Sequence, residues 1–330
     1  MSGIETRTVT SDEAGMRLDR WFKSNFPGLG FGQLQKIVRT GQVRVDGGRA
    51  KTDTRVAAGQ KIRIPPLGVD PRKVEKQAPK KISDNDRAAI EAMILYEDKD
   101  LMVLNKSAGL AVQGGSGTKR HIDGMLSAFA TKSGDKPRLV HRLDKDTAGC
   151  LVVARSRKSA KALTKAFRAR SARKVYWALV KGVPKQRQGK ISTYLACEEH
   201  GEKMAIVHHG DEDAQHAMTF YSVVDNAGPN LSWLSLKPVT GRTHQLRAHT
   251  AHIGHPIIGD PKYFDIENWE MPGGMQNKLH LLARRIIIPH PTRGGKLDVT
   301  APLPPHMQQS WNLLGFDTSD YDPEEDEEEV

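Results

Sequence analysis

The chain has 330 residues, 38% of them hydrophobic, and only two cysteines. That length allows one large domain and a smaller one, while two cysteines are too few for a disulfide framework or a cysteine-based zinc site. The net charge is +11, but residues 317–330 hold nine acids and no lysine or arginine, which leaves the rest at +20 and favours a polyanionic partner such as nucleic acid.

The N-terminal Met-Ser-Gly-Ile-Glu-Thr-Arg lacks the apolar centre of a secretion signal. No stretch approaches the roughly 18 uninterrupted apolar residues of a membrane span. A cytoplasmic protein that uses no membrane is expected, with Cys150 and Cys197 as packed thiols. Residues 15–64 predict a small unit. Leu18, Trp21 and Phe22 recur at helical spacing, as do Leu34, Ile37 and Val38, and Gly41 supplies a helix stop. Val43–Val45 then alternates as a strand up to the turn Asp46-Gly47-Gly48, and Lys61–Ile64 alternates again. Its outward positions carry Lys36, Arg39, Arg44, Arg49 and Lys51.

Residues 65–88, with four prolines among many cations, predict a linker. From 89 to 316 strands and helices alternate. Strands are expected at 101–104, 151–154, 175–180, 217–224 and 286–288, and helices at 159–169 and 245–253. Many connections are too short for parallel crossovers, so the fold class is α+β. The larger domain should hold a mixed, mostly antiparallel sheet flanked by helices and loops. The acidic tail, 317–330, is expected to be disordered.

Within that domain, His141-Arg-Leu-Asp-Lys-Asp-Thr-Ala-Gly149 runs directly into the apolar strand 150–154. Asp144 lies between an arginine and a lysine in sequence. A carboxylate with cationic neighbours favours its charged form, in a field that also attracts phosphate. A nucleophile or base acting on a polyanion needs that setting, though a charged turn before a strand would look the same. His244, His249, His252 and His255 suggest a metal site, but no cysteine or third fitted ligand accompanies them, and no metal is expected.

Two resemblances extend these readings. Arg17-Leu-Asp, then Gln33–Gly47, resembles an S4 RNA-binding domain, with Phe31-Gly32 where members often carry Ser-Arg. It implies RNA contacts at Arg17, Lys36, Arg39 and Arg44, of the kind that position RNA rather than read it. The larger segment resembles the RluA family of pseudouridine synthases through four blocks in order. These are Asn105-Lys-Ser-Ala-Gly-Leu110, the block 141–149, Lys174-Val-Tyr-Trp-Ala-Leu-Val-Lys-Gly182, and Thr240-Gly-Arg-Thr-His-Gln-Leu-Arg-Ala-His249 followed by Gly254-His-Pro-Ile-Ile-Gly-Asp260.

The resemblance implies an isomerase that detaches uracil from its ribose, turns it and rejoins it through carbon, with no cofactor. Asp144 matches the family's nucleophile, whether it attacks C1′ or assists fragmentation by acid–base steps. Arg247 would pair with it and orient it. Tyr176 would stack on the target ring and serve late in proton removal. Arg142 would fill the place of the flipped base, with His141 as an alternative, and Leu279 would line the uracil pocket. The implied substrate is large-subunit (23S) ribosomal RNA or a pre-ribosomal large subunit, acted on by a monomer. Alternatives are another rRNA loop, tRNA, or a non-catalytic S4-type RNA-binding or ribosome-assembly factor.

Overall fold

A computed structural model describes residues 4–10, 13–26, 28–67, 84–115, 118, 120–130, 136–198, 203–264, 269 and 271–321. The chain divides into two units, Met1–Lys81 and Ile82–Val330.

In the first unit, β1 (Glu5–Thr8) precedes α1 (Leu18–Asn25) and α2 (Phe31–Arg39), followed by β2 (Arg44–Val45), β3 (Gly48–Arg49) and β4 (Lys61–Ile64). The two helices bury the residues whose spacing predicted them: Leu18, Trp21 and Phe22 from α1, and Leu34, Ile37 and Val38 from α2. Asp46 and Gly47 both take positive φ, 48° and 79°, the pair of left-handed residues that a two-residue hairpin turn requires. The sheet order is β1-β4-β2-β3. Strand β1 lies before the expected start at residue 15, and the core reaches from Val9 to Leu67.

Arg17, Lys36, Arg39 and Arg44 all belong to this unit. Lys36 and Arg39 are exposed on α2. Arg17 is tied to Asp19 by two hydrogen bonds of 3.2 and 2.8 Å, and Arg44 donates to the carbonyl of Gly47 at 2.9 Å. Of the stretch read as a linker, residues 68–83 lie outside the described residues. A helix, α3 (Asp84–Glu91), already begins inside it.

The second unit is built on one large sheet. After α3 come β5 (Ile94–Glu97), β6 (Leu101–Lys106), α4 (Ile122–Met125), β7 (Arg138–Leu139), β8 (Ala148–Ala154), α5 (Arg157–Arg168) and β9 (Arg173–Lys181). Then follow β10 (Gln188–Cys197), β11 (Met204–Val207), β12 (Gln215–Ala227), β13 (Leu231–Pro238), α6 (Gln245–His252), β14 (Leu281–Pro289), β15 (Lys296–Thr300) and α7 (Pro305–Leu314). The order is β11-β10-β12-β13-β9-β14-β8-β6-β5, with β15 on β14 and β7 on β8. Among the described strands only β14 and β8 run parallel, and every other pairing is antiparallel.

Every residue of β8 is buried, which explains why its sequence reads as a continuous apolar run rather than an alternation. Helices and sheet enclose Trp177, Trp233 and Trp311, with Trp177 and Trp233 edge to face at 4.6 Å. Helix α5 starts earlier than its apolar pattern suggests, because Ser156 and Ser159 form a capping box.

Two expectations need correction. Cys150 is a buried thiol, pushed up to about 12 by its apolar surroundings, but Cys197 is exposed at the end of β10. The first residues of the expected disordered tail are ordered. Asp317 caps a short turn, and Tyr321 meets the Trp177 ring edge-on at 5.3 Å, so an aromatic contact fixes what charge alone would leave loose. Residues 322–330 lie outside the described residues. Among the described residues no helix is long and apolar enough to cross a membrane.

Candidate active site

The loop joining β7 to β8 carries Asp144, whose side chain is 24% exposed. Three features hold this loop. The His141 ring stacks on Phe167 at 4.4 Å, and its Nε2 accepts from the Val152 N–H at 2.8 Å. Burial drives His141 down to about 3, so it serves as a neutral post and not as a cation. Lys106, fully buried, donates through Nζ to the carbonyls of Ser107 (2.9 Å), Leu110 (2.9 Å) and Lys145 (2.8 Å). It thereby ties the first sequence block to the residue after Asp144. Burial lowers this lysine to about 8, against the opposing charges of Asp146 and Asp144.

Gly149 has φ 108°, and a Cβ there would lie 2.2 Å from the carbonyl oxygen of Ala283. Only glycine lets β8 leave the loop this close to β14.

Across from the loop, α6 presents Arg247. The helix start is locked by Gln245, whose side-chain oxygen accepts from Thr240 (2.6 Å) and the Arg242 N–H (3.1 Å). Its amide donates to Met218 (2.9 Å) and Thr219 (2.9 Å). His244 precedes the helix in a left-handed conformation, φ 49°, a strained choice for a non-glycine residue and typical of functional sites. Burial lowers His244 despite nearby Asp144.

Arg247, 2% exposed, gives its Nε and Nη2 to Asp260 at 2.7 and 2.6 Å. Its Nη1 stands 4.0 Å from Asp144. The Tyr263 ring covers the guanidinium at 5.2 Å.

These parts converge on a cleft lined by Arg142, Asp144, Lys174, Tyr176, Arg242, Arg247 and Leu281, among others. Tyr176 projects from β9, and its phenol is pushed above its usual range by burial first and by Asp144 second, so at rest it is neutral. Lys174 is lowered to about 8 by burial and by Arg170. A carboxylate–guanidinium–carboxylate line that opens to solvent only at Asp144, an aromatic ring and a cationic rim suit a flat, neutral ring attached to a polyanion. In particular, they suit acid–base or nucleophilic work at the carbon that carries the ring.

Comparison with known proteins agrees. Residues 100–252 match the profile of a family described as RNA pseudouridylate synthase. The chain is 35% identical over 310 residues to the ribosomal large subunit pseudouridine synthase C of Haemophilus ducreyi, covering 93% of this chain and 94% of that protein. It is 34% identical to the protein of the same name from Escherichia coli K12, covering 91% and 93%. A solved structure, human RNA pseudouridylate synthase domain containing 4, superposes with a TM-score of 0.60 at 29% identity, covering 71% of this chain and 98% of its own. The chain belongs to the RNA pseudouridylate synthase family.

Within the synthase cleft the structure brings together Asp144, Tyr176, Arg247 and Arg142, the last exposed and donating to Thr243 at 3.3 Å. It does not bring Leu279. That residue is buried with Leu246, Ile257 and Leu281, and it lines a separate cavity beside Lys106 and Asp146. Its carbonyl accepts from His306 at 3.0 Å, and the next N–H donates to Ile258 at 3.0 Å, which fixes the position of Leu279 in that core. Leu281 takes the position on the cleft wall.

The expected pairing of Arg247 with Asp144 is present as a long ion pair of 4.0 Å. The guanidinium fork goes to Asp260, whose fully buried carboxylate also accepts two backbone N–H groups, and Asp144 stays beyond hydrogen-bond reach.

Asp260 and Lys106, which hold the Arg247 guanidinium and the Asp144 loop, are the site residues that residue-type reasoning passed over. Both stand inside sequence blocks already singled out, Asp260 closing the fourth and Lys106 in the first, and that placement was the available signal. His249, part of the suspected metal cluster, uses both ring nitrogens on Thr193 (3.0 Å) and Thr219 (2.9 Å). Asp98, Asp100 and His290 also approach one another, but Arg293 binds Asp98 and Thr292 binds Asp100.

Proposed function

We propose that this synthase converts selected uridines of large-subunit (23S) ribosomal RNA, free or within a pre-ribosomal particle, into pseudouridine. The proposal includes Asp144 as the reacting carboxylate. The relatives named above carry the ribosomal large subunit in their names, and they align along nearly the whole chain. The reaction is an isomerisation: the C1′–N1 bond breaks, a C1′–C5 bond forms, and the C5 hydrogen is replaced by one on N1. No electron donor or acceptor is needed.

In this reading Asp144 engages C1′, by covalent attack or by assisting fragmentation. Arg247 holds the charge balance behind it, and Tyr176 stacks on the uracil. Arg142, exposed at the mouth of the cleft, takes the place the base leaves, since extruding a base costs a few kcal/mol that an inserted side chain offsets. The first unit acts as an S4-type docking module through Lys36, Arg39 and Arg44, with Arg17 held by Asp19. The working form is a cytoplasmic monomer.

The observation that carries this reading is the convergence of Asp144, Tyr176 and Arg247 on one cleft with a cationic rim, because RNA binding alone does not require that trio. The test is pseudouridine mapping of total RNA, by carbodiimide-dependent reverse-transcription stops, from cells with and without the gene. Stops that vanish from large-subunit rRNA and return with the wild type, but not with Asp144→Asn, are the expected outcome. An unchanged map would overturn the assignment.

A further inference from the structure

The cleft continues into a groove walled by Thr164, Arg168, Arg170 and Arg242 as well as Arg142 and Asp144. Beyond Thr164 and Arg168 this groove runs on into a second hollow lined by Arg138, Arg157, Lys161 and Lys165. Both hollows lie on α5. Arg157, Lys161, Lys165 and Arg168 are spaced by four, four and three residues, so they form one stripe along a single helix face. All four are exposed, and the helix contains no acid. Like charges at that spacing repel one another. Among the described residues, Asp144 is the one acid that lines either hollow.

At the end of the stripe Arg170 occupies the left-handed position after the helix, φ 59°. Glycine is the usual occupant there, and an arginine is strained. Its exposed guanidinium-bearing side chain walls the groove between the stripe and Asp144.

We propose that the α5 stripe, continued by Arg170, is a docking track for the RNA backbone that flanks the target uridine. From Arg157 to Arg168 the track is roughly 16 Å long at 1.5 Å per residue, enough for several successive phosphates. The inference rests on the RNA-modifying reading above, and it gives the catalytic unit a binding surface of its own. A continuous row of cations ending at the catalytic carboxylate delivers a strand to the cleft. It contributes affinity and salt dependence without reading bases.

The test uses the full-length protein and an unmodified in-vitro transcript of large-subunit rRNA. Affinity is measured from about 50 to 300 mM salt, and pseudouridine formation is followed separately under single-turnover conditions. Each phosphate that a variant no longer neutralises lowers the slope of log K against log salt by roughly 0.7–0.9. The triple variant Lys161→Gln, Lys165→Gln, Arg168→Gln should therefore have a slope smaller by about 2 to 3 units. Its apparent KM should rise about tenfold or more, with the rate at saturating RNA unchanged.

Arg170→Gly relieves the backbone strain, so it should melt no lower than wild type yet bind RNA more weakly. A control neutralises the exposed Lys99, Lys185 and Lys190, which line neither hollow. A wild-type slope and KM in the triple variant, or an equal loss in the control, overturns the track. Absence of pseudouridine formation by the wild-type protein would instead overturn the enzymatic reading, and the binding slopes still decide the track.

Discussion

Arg247 and Asp260 form a two-pronged ion pair, at 2.7 and 2.6 Å, in which neither side chain is more than 3% exposed. Asp260 Oδ1 also accepts from the N–H groups of Lys262 and Tyr263, so both of its oxygens are engaged. Gly259 makes this possible, because a Cβ there would lie 2.0 Å from the Lys278 carbonyl oxygen. The pair fixes the guanidinium and leaves Nη1 directed toward Asp144. Breaking a buried pair from one side costs about 3–5 kcal/mol. Asp260→Asn should therefore lower the unfolding free energy by an amount of that size, read as a lower denaturation midpoint, and reduce turnover together with it. Asp144→Asn should abolish turnover, yet leave the denaturation midpoint and RNA affinity near wild type, since Asp144 is partly exposed and makes no side-chain hydrogen bond to Arg247. Equal stability losses in the two variants would contradict this division of labour.

Which residues line the cleft was more legible in the sequence than how they contact one another. Asp144, Tyr176 and Arg247 were legible because each sits in a block that carries the family resemblance. The strand after the Asp144 loop was legible because full burial produces an unbroken apolar run. Which carboxylate takes the Arg247 fork was not legible, since spacing along the chain cannot rank Asp144 against Asp260 when the choice depends on burial. Strand β1 escaped because Glu5–Thr8 has no apolar alternation; it is held by backbone pairing with β4 and by Arg7, which reaches Asn25 and the Phe26 ring. Leu279 and Leu281 are two residues apart and chemically identical, and spacing does not show the contacts of His306 and Ile258 that fix Leu279 in its core.

Tyr176 combines two contributions that one substitution separates. In the proposed reaction its ring is the stacking face, and its hydroxyl is a neutral phenol held protonated by burial and by Asp144. Tyr176→Phe should keep RNA affinity within about threefold while lowering the single-turnover rate by about 100-fold or more, the range expected when a proton-transfer group is removed. Tyr176→Ala should weaken both. Full activity in the Phe variant would reduce this residue to a stacking platform.

Lys174 sets an alkaline limit. Burial and Arg170 lower it to about 8 from an ordinary 10.5, so in the free enzyme it is cationic below about pH 8 and loses its charge above. It shares the cleft with Arg142, Arg242, Asp144 and Tyr176, and a neutral amine there attracts phosphate less. The kcat/KM profile, which reports free-enzyme ionisations, should fall as pH rises through about 8. Lys174→Arg should remove that limb. The sign for stability is opposite: between about 8 and 10.5 the unfolded chain binds more protons than the folded one at Lys174 and at Lys106. The stability contribution of both lysines therefore rises with pH across that window. An alkaline limb that persists unchanged in Lys174→Arg would exclude this lysine as its source.

Lys106 tests whether the loop carrying Asp144 is held from behind. Its ammonium group supplies donors to three carbonyls, one of them on Lys145, the neighbour of Asp144. Lys106→Met keeps the bulk of the chain but removes every donor. Lys145 would retain only the Gly109 N–H at 2.9 Å, and the carbonyls of Ser107 and Leu110 would lose this partner. Unsatisfied buried polar groups cost about 1–3 kcal/mol each, offset here by no longer burying a charge, so a net loss of about 3 kcal/mol is expected. The consequence for catalysis is separable. At a temperature where the variant is fully folded, the single-turnover rate should drop at least tenfold with RNA affinity maintained, because the loop carrying Asp144 is no longer pinned to the first block. A variant with lowered stability but wild-type rate would show that Lys106 supports the fold without positioning the carboxylate.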